Sequence, residues 1–484
     1  MKSIFRATAI LSTSSVVTIL VGLVSAKVMA SVLQPAGYGY YGLLQSFTLL
    51  TGLLAGMGIP TGLVRIGAGA AARDDRATIA NLRRASWLLF YVQGALALLV
   101  FALFRRTLSR WALGDADHGT TVMLMGIALL FGVAGSIQSG TLNAYHRVAA
   151  LAKVAASGAV MTAGMAIVCV LIWRISGVVP AVIAGSAVGF VISTYFLRRE
   201  VEPIQVTPSR RGTLKAAWSL LHFGGPYTAS MLIGTGVQLA MPIVVMHLLS
   251  TESVGYYKAA ASISVGYLGF LITAMAQDYY PRVSAAKDHP GVLAELINEQ
   301  HRLVMIVAVP MILGTLALVP YLVPIVYSRK FTPTVEILEW QLIGDLFKFS
   351  SWTMSYAILA RCRSSVYFLT EAIGGVVGLI TLWLAVRWFG LPGLGISFLL
   401  TYVIYYFVVW VVVRRDVPLI WTGTNKRMML AAVGVALLVR VLPSTRFANL
   451  RTLVALAFAL AAGAYSLHAV WWELWGRKEM RTVS

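Results

Sequence analysis

The residues able to do chemistry in this chain are charges set inside long apolar runs. Lys27, Arg65, Lys258 and Lys348 lie within or at the edge of such runs, and Arg282 follows Pro281 directly at the end of another. A charge at the centre of a membrane helix costs roughly 3 kcal/mol on insertion scales, so each one needs a reason. An ammonium or guanidinium kept from water calls for an anionic partner, and the bonds it makes there are charge-assisted. Acids inside the runs occur only in the second half, at Asp278, Glu336, Glu339, Asp345 and Glu371. Lys27 and Arg65 therefore lack an acidic companion in their own half, which points to an anionic ligand. If an H⁺ or Na⁺ site exists, Asp278, Asp345 and Glu371 are its candidates.

Spacing adds direction. Lys27, Ser31 and Gln34 fall at i, i+4 and i+7, one polar helix face. Lys27 also stands six residues before its run ends, so snorkelling to the interface competes with that reading. Arg65 can equally serve as a topology charge and Lys258 as an interfacial anchor. Gln341, Asp345, Lys348, Trp352 and Ser355 form one continuous stripe on a helix expected over 336–360. Lipid would not tolerate that stripe, so it faces a cavity or another helix, or Asp345 and Lys348 pair at i,i+3 and fix packing. Glu371 follows Arg361 and Arg363 by about two turns and can pair with either. The seven histidines show no metal-ligand spacing. No phosphate-cradling glycine loop or nucleophile elbow is present, which argues against ATP coupling and hydrolase chemistry. No cofactor is expected.

The elements that position these residues are membrane helices. Apolar residues make up 58% of the 484 and charged residues only 12%, against about 25% in a soluble domain. Apolar stretches long enough to span a bilayer recur at 7–33, 40–64, 85–104, 120–143, 154–173, 180–197, 218–249, 255–280, 303–327, 336–360, 366–386, 393–413, 428–443 and 452–475. The expected class is all-α, a polytopic membrane protein of about fourteen transmembrane helices. Secreted enzymes, cytosolic nucleotide-binding folds and nucleic-acid binders are excluded. The net charge of +21 is largely a loop signal. Lys and Arg concentrate in alternate loops, such as Arg73/Arg76/Arg83/Arg84 and Arg198/Arg199/Arg210/Arg211/Lys215, which places both termini in the cytoplasm. Those loops suit anionic membrane lipids rather than nucleic acid. Cys169 lies in an apolar run and Cys362 between two arginines, so no disulfide framework is indicated.

An internal repeat is visible. Pro35-Ala36-Gly37-Tyr38-Gly39-Tyr40-Tyr41 and Thr251-Glu252-Ser253-Val254-Gly255-Tyr256-Tyr257 are offset by 216, and the same offset carries Gly177 onto Gly393. That spacing implies two six-helix lobes, 1–215 and 216–416, with two extra helices over 417–484, and a substrate path between lobes. Prolines at Pro60, Pro226, Pro242, Pro281, Pro310, Pro320 and Pro324 are expected to interrupt helices in which lobes bend or line a cavity.

Four stretches, in this order and spacing, resemble the polysaccharide (O-antigen type) flippases of the multidrug/oligosaccharidyl-lipid/polysaccharide exporter superfamily. They are Leu33 to Gly42 with Gly56 to Arg65, Leu220-Leu221-His222-Phe223-Gly224-Gly225-Pro226, Glu252 to Ala260, and Tyr279-Tyr280-Pro281-Arg282. The resemblance implies two six-helix lobes in a V, in the bacterial cytoplasmic (inner) membrane. It implies movement of an undecaprenyl-pyrophosphate-linked oligosaccharide (an O-antigen, exopolysaccharide or capsule unit) to the periplasmic leaflet by alternating access. The pyrophosphate headgroup then becomes the anion expected at Lys27, Arg65, Lys258, Arg282 and Lys348. Coupling falls to H⁺ or Na⁺ or to the membrane potential. The chain is expected to act as a monomer, with other polysaccharide-assembly membrane proteins as further partners. A drug/cation antiporter of the same fold and a polytopic glycosyltransferase or polymerase are the competing readings. The first would want an acid within the helices of the first lobe, which offer none, and the second lacks a large catalytic loop.

Overall fold

The computed structural model describes residues 2–202, 206–274, 278–361, 364–442 and 448–471, with side chains placed for 17–202, 206–264, 278–361, 365–442 and 451–468. Cys362 and Arg363 lie outside the described residues. The chain forms two compact units, Met1–Gly255 and Tyr256–Ser484. The first holds α1 (Lys2–Gly56), α2 (Ile59–Ala72), α3 (Arg76–Leu103), α4 (Arg105–Leu113), α5 (Gly119–Ala144), α6 (Val148–Trp173), α7 (Val178–Glu200), α8 (Arg210–Met231) and α9 (Val237–Leu248). Next comes α10 (Thr251–Ala274), whose start belongs to the first unit. The second unit continues with α11 (Tyr280–Ala285), α12 (Pro290–Val326), α13 (Pro333–Ala360), α14 (Ser364–Phe389), α15 (Gly393–Arg414), α16 (Gly423–Val441) and α17 (Ala448–Trp471). Among the described residues there is no strand, and nine helical stretches are long and apolar enough to cross a membrane. Several of those stretches contain two spans. Within the described residues, the fourteen expected apolar runs fall almost wholly on helices, and the protein is a multi-pass membrane protein.

Sequence dictates where the long helices break. In α1, Gln34 takes a left-handed backbone (φ 63°) immediately before Pro35. Proline cannot donate to the carbonyl four residues back, which here belongs to Ser31. The Gln34 Nε2 donates to that carbonyl instead, at 2.8 Å. The interruption expected at three prolines of α12 does not occur: the helix runs unbroken through Pro310, Pro320 and Pro324. Pro310 leaves the Ile306 carbonyl without its helical donor, and the Ser466 hydroxyl of α17 donates to it at 2.5 Å. Between α8 and α9 the wider turn of Leu232–Gly236 replaces a clean break.

The repeat is structural. An offset of 216 carries α6 onto α14 residue for residue, and α5 and α7 onto α13 and α15 to within two residues at each end. A Cβ on Gly177 would overlap the Cys169 carbonyl, and one on its counterpart Gly393 would overlap the equivalent Ala385 carbonyl. Within the first unit, a Cβ on Gly39 would strike the Thr251 carbonyl, while one on Gly255 would strike the Pro35 carbonyl. The two copies of the Gly-Tyr-Tyr motif thus meet reciprocally, backbone to backbone, where only glycine fits.

The repeated helices pack alike in the two units, and the other helices pack differently. In the first, α7 lies against α5 and α6, α1 against α6, and α8 against α2 and α3. In the second, α15 lies against α13 and α14, and α17 and α16 cover α12. The expected lobe 1–215 lies inside the first unit together with α8 and α9.

Candidate functional site

Polar side chains meet in the interior of the second unit. The expected α13 stripe is realised. Gln341, Asp345, Lys348 and Ser355 are all buried, Asp345 completely. Ser264 of α10 donates its hydroxyl to Asp345 at 2.9 Å. The Lys348 ammonium sits over three rings, 5.0 Å from Trp352, 5.2 Å from Tyr402 and 5.3 Å from Phe398. Each cation–π contact contributes about 0.5–2 kcal/mol depending on desolvation, so three can offset most of a roughly 3 kcal/mol insertion cost. Tyr405 then donates to Glu371 of α14 at 2.5 Å, with Ser355 3.4 Å from the same hydroxyl. Tyr402 and Tyr405 stand edge-to-face at 6.3 Å. Lys348 and Glu371 are therefore linked through two tyrosines of α15, with Asp345 one turn before Lys348 on α13.

Asp278, Glu299, Glu336 and Glu339 of the second unit are matched to arginines. Glu336 accepts from Arg440 at 2.7 Å. Glu339 is bonded to Arg451 and lies 3.2 Å from Arg440. Asp278 and Glu299 both face Arg282, at 3.5 and 2.8 Å. Expected separately as an ion-coupling acid and a headgroup cation, Asp278 and Arg282 are partners at the protein surface. Arg361, an allowed partner for Glu371, donates instead to the Asp416 carbonyl at 3.0 Å. Asp345 and Glu371 each accept from a hydroxyl, of Ser264 and Tyr405 respectively.

The other expected cations are spread over the chain. Lys27 is exposed on α1, with Ser31 and Gln34 following it in a ladder of side-chain to backbone bonds. Arg65 is exposed on α2 with its guanidinium 4.6 Å above the Phe223 ring of α8. Lys258 is half-buried on α10. The structure thus brings Lys348, Asp345 and Glu371 into the same interior and leaves Lys27 and Arg65 as exposed cations of the first unit.

The repeat shows that this network is not needed for packing. Under the 216 offset, Asp345, Lys348, Glu371, Tyr402 and Tyr405 correspond to Leu129, Gly132, Ala155, Ser186 and Gly189. The same helices pack in the first unit with small or apolar residues at every one of these places. A buried polar network that the scaffold can do without is a candidate for function. Sequence reasoning missed Phe398, Tyr402 and Tyr405, although their i, i+4, i+7 spacing marks one face of α15.

Comparisons with known proteins agree with this architecture. The chain is 22% identical over 415 residues to the Lipid III flippase of Escherichia coli (strain K12), covering 84% of this chain and 96% of the relative. Among solved structures, it is similar to the Lipid II flippase MurJ in an inward closed conformation (TM-score 0.71, 12% identity, 96% of this chain and 99% of that one). It is also similar to an inward-facing multidrug resistance MATE family transporter of the MOP superfamily (TM-score 0.65, 16% identity, 85% and 96%). At these identities the structural likeness establishes the fold. The family model described as polysaccharide biosynthesis protein matches residues 28–336. That match spans well over half of the chain, and with the membrane-helical fold it shows that the chain belongs to the polysaccharide biosynthesis protein family.

Proposed function

We propose that this protein is a flippase for a lipid-linked oligosaccharide, moving undecaprenyl-pyrophosphate-linked glycan from the cytoplasmic to the periplasmic leaflet by alternating access. The protein transports and carries no catalytic residue. The observation that carries the reading is the Lys348 ammonium buried on three aromatic rings in a position the repeat leaves as glycine. Rings stabilise the charge without cancelling it, so it still attracts a diphosphate. Lys27 and Arg65 are assigned to the same headgroup at earlier or later stages of the passage, and Lys258 to its approach.

Energy for the step has two sources. The inside-negative potential contributes about 2.3 kcal/mol per charge per 100 mV, and a diphosphate diester carries two charges outward. Asp345 and Glu371 supply a candidate H⁺ or Na⁺ site that could add to this. The likeness to lipid-linked glycan flippases supports the bacterial cytoplasmic membrane, and the Lys/Arg distribution supports an orientation with both termini inside. Anionic lipids meet its basic loops, and it works as a monomer alongside other polysaccharide-assembly proteins.

The test is biochemical. Deleting the gene should cause the lipid-linked oligosaccharide to accumulate on the cytoplasmic leaflet, and wild type in proteoliposomes should restore its movement. An unchanged distribution of the lipid-linked glycan in the deletion strain would reject the proposal.

A further inference from the structure

The first unit contains a cavity of about 930 Å³ where α1 restarts after its break, at the beginnings of α5, α7 and α10. Its polar lining comes from Tyr40, His118, Thr121, Ser176 and Thr251, and its apolar wall includes Val179. Among the described residues, no Lys, Arg, Asp or Glu lines it. Tyr40 and Thr121 approach each other at 3.4 Å between hydroxyl oxygens, and the Tyr40 and His118 rings are 5.9 Å apart and tilted.

The repeat shows that the fold can close this space. In the second unit, α13 and α15 come together at the corresponding level through two glycines. A Cβ on Gly344 would stand 2.7 Å from the Phe398 ring, and one on Gly395 would strike the Ile337 carbonyl and lie 2.8 Å from the Trp340 Cβ. The counterparts of Gly344 and Gly395 in the first unit are Ala128 and Val179. The counterparts of His118 and Thr121 are Thr334 and Ile337, both fully buried. Added side-chain bulk at Val179 and Ala128 holds α5 and α7 apart at this end. They close lower down instead, where Gly135 faces the backbone of Gly189 and Phe190 at 3.4–3.6 Å. The opening is thus a departure from packing that the same scaffold achieves elsewhere, and four hydroxyls and an imidazole stand in it among aliphatic walls that include Leu124, Ile175 and Ile183.

We infer that this cavity is a glycan-binding site for the neutral sugar residues of the transported molecule, separate from the cations that take its headgroup. The inference rests on the flippase reading above. Sugar rings offer apolar C–H faces and outward hydroxyls, which match a Tyr/His surface and four hydroxyl side chains with an imidazole among them. The absence of lining charge selects against the diphosphate itself. The volume lies near the upper end of the ~300–1,000 Å³ common for small-molecule sites, and so accommodates more than one sugar ring. The Lys/Arg distribution puts the cavity on the periplasmic side, where it would hold the glycan after passage.

Glycan released by mild acid from the lipid-linked intermediate of deletion cells is titrated calorimetrically into the full-length protein in nanodiscs. Undecaprenyl pyrophosphate, which carries no sugar, is the second probe. Wild type should bind both. Thr121→Trp, which fills the cavity, should weaken the free glycan by roughly tenfold or more and leave undecaprenyl pyrophosphate unchanged. The paired His118→Ala/Ser176→Ala variant removes bonding partners without adding bulk and should show the same selectivity with a smaller loss, which covers the case of a misfolded Trp variant. Equal glycan binding by wild type and both variants, or no glycan binding by wild type, would overturn the site while leaving the flippase reading intact. Loss of a spin-labelled phospholipid from the cavity in Thr121→Trp, with glycan binding unaltered, would identify a lipid crevice instead. Deletion cells that accumulate no lipid-linked glycan would remove the flippase reading itself.

Discussion

The hydroxyl of Tyr405 donates to the carboxyl of Glu371 at 2.5 Å, joining α15 to α14 inside the second unit. Removing that donor leaves a buried acid without its partner, a loss of about 1–3 kcal/mol. Tyr405→Phe should therefore lower the melting temperature, whereas Glu371→Gln, which still accepts the bond, should lower it less. Combining Tyr405→Phe with Glu371→Leu should cost less than the two changes summed, because neither polar group is then stranded. Strict additivity in thermal unfolding would disprove the coupling.

Lys348 is expected to separate charge from shape. Lys348→Ala should reduce transport roughly ten- to a hundredfold, corresponding to the loss of a charged hydrogen bond of about 1.5–3 kcal/mol. Lys348→Met keeps the length and the ring contacts but not the charge, so it should fold as well as wild type and transport as poorly as the alanine variant. Leaflet distribution of the lipid-linked glycan reads the outcome. Normal transport by Lys348→Met would show that the residue only packs.

Gly39 and Gly52 make a contrasting pair on one helix. A Cβ on Gly39 meets the Thr251 backbone, whereas one on Gly52 meets nothing within 4 Å. Gly39→Ala should abolish stable expression or lower the melting temperature sharply. Gly52→Ala should be neutral or stabilise by about 0.5–1 kcal/mol, since glycine is the poorer helix former. Similar melting temperatures for the two variants would contradict the close approach.

The bond from Ser466 to the Ile306 carbonyl stands in for the one Pro310 cannot make. Ser466→Ala should destabilise by about 1–2 kcal/mol by leaving that carbonyl unpaired in an apolar setting. Adding Pro310→Ala restores a backbone N–H to α12 and should recover most of the loss. Failure of that rescue in a melting experiment would count against the substitution of one donor for the other.

At the surface, Asp75 caps α3 by accepting from the Thr78 hydroxyl at 2.6 Å and the Thr78 backbone N–H at 2.9 Å. These bonds hold its carboxyl below the ordinary aspartate value of 3.8. A lowered value in the folded chain means that the stabilisation is full above the ordinary value and fades as the pH falls through the lowered one. Hydrogen exchange at the first turn of α3 should accelerate over that acid range in wild type. Asp75→Asn keeps a cap without a titrating group and should remove the pH dependence.

The helices were legible because membrane spans announce themselves by apolar length alone, and the described parts of the expected runs are almost wholly helical. Two pieces escaped that rule. The short α4 carries Arg105, Arg106 and Arg110, and the first turns of α12 before residue 303 are polar, so neither has the composition of a span. The α13 stripe was readable because charged and amide residues at helical spacing have no bland explanation in lipid. Its aromatic partners were not, since Phe398 and Tyr402 look like any lipid-facing residues until α15 is docked. The pairing of Glu336 and Glu339 with Arg440 and Arg451 joins segments about a hundred residues apart, which no local pattern encodes.

Duplication gave this chain two copies of one helix crossing, and the copies have since pinched shut at opposite levels. Where glycines were kept in the later copy, the earlier one acquired bulk and opened; where the earlier copy kept them, the later one gained tyrosines and acids. One helix crossing, used twice, thereby supports an open crevice in the first unit and a buried polar cluster in the second.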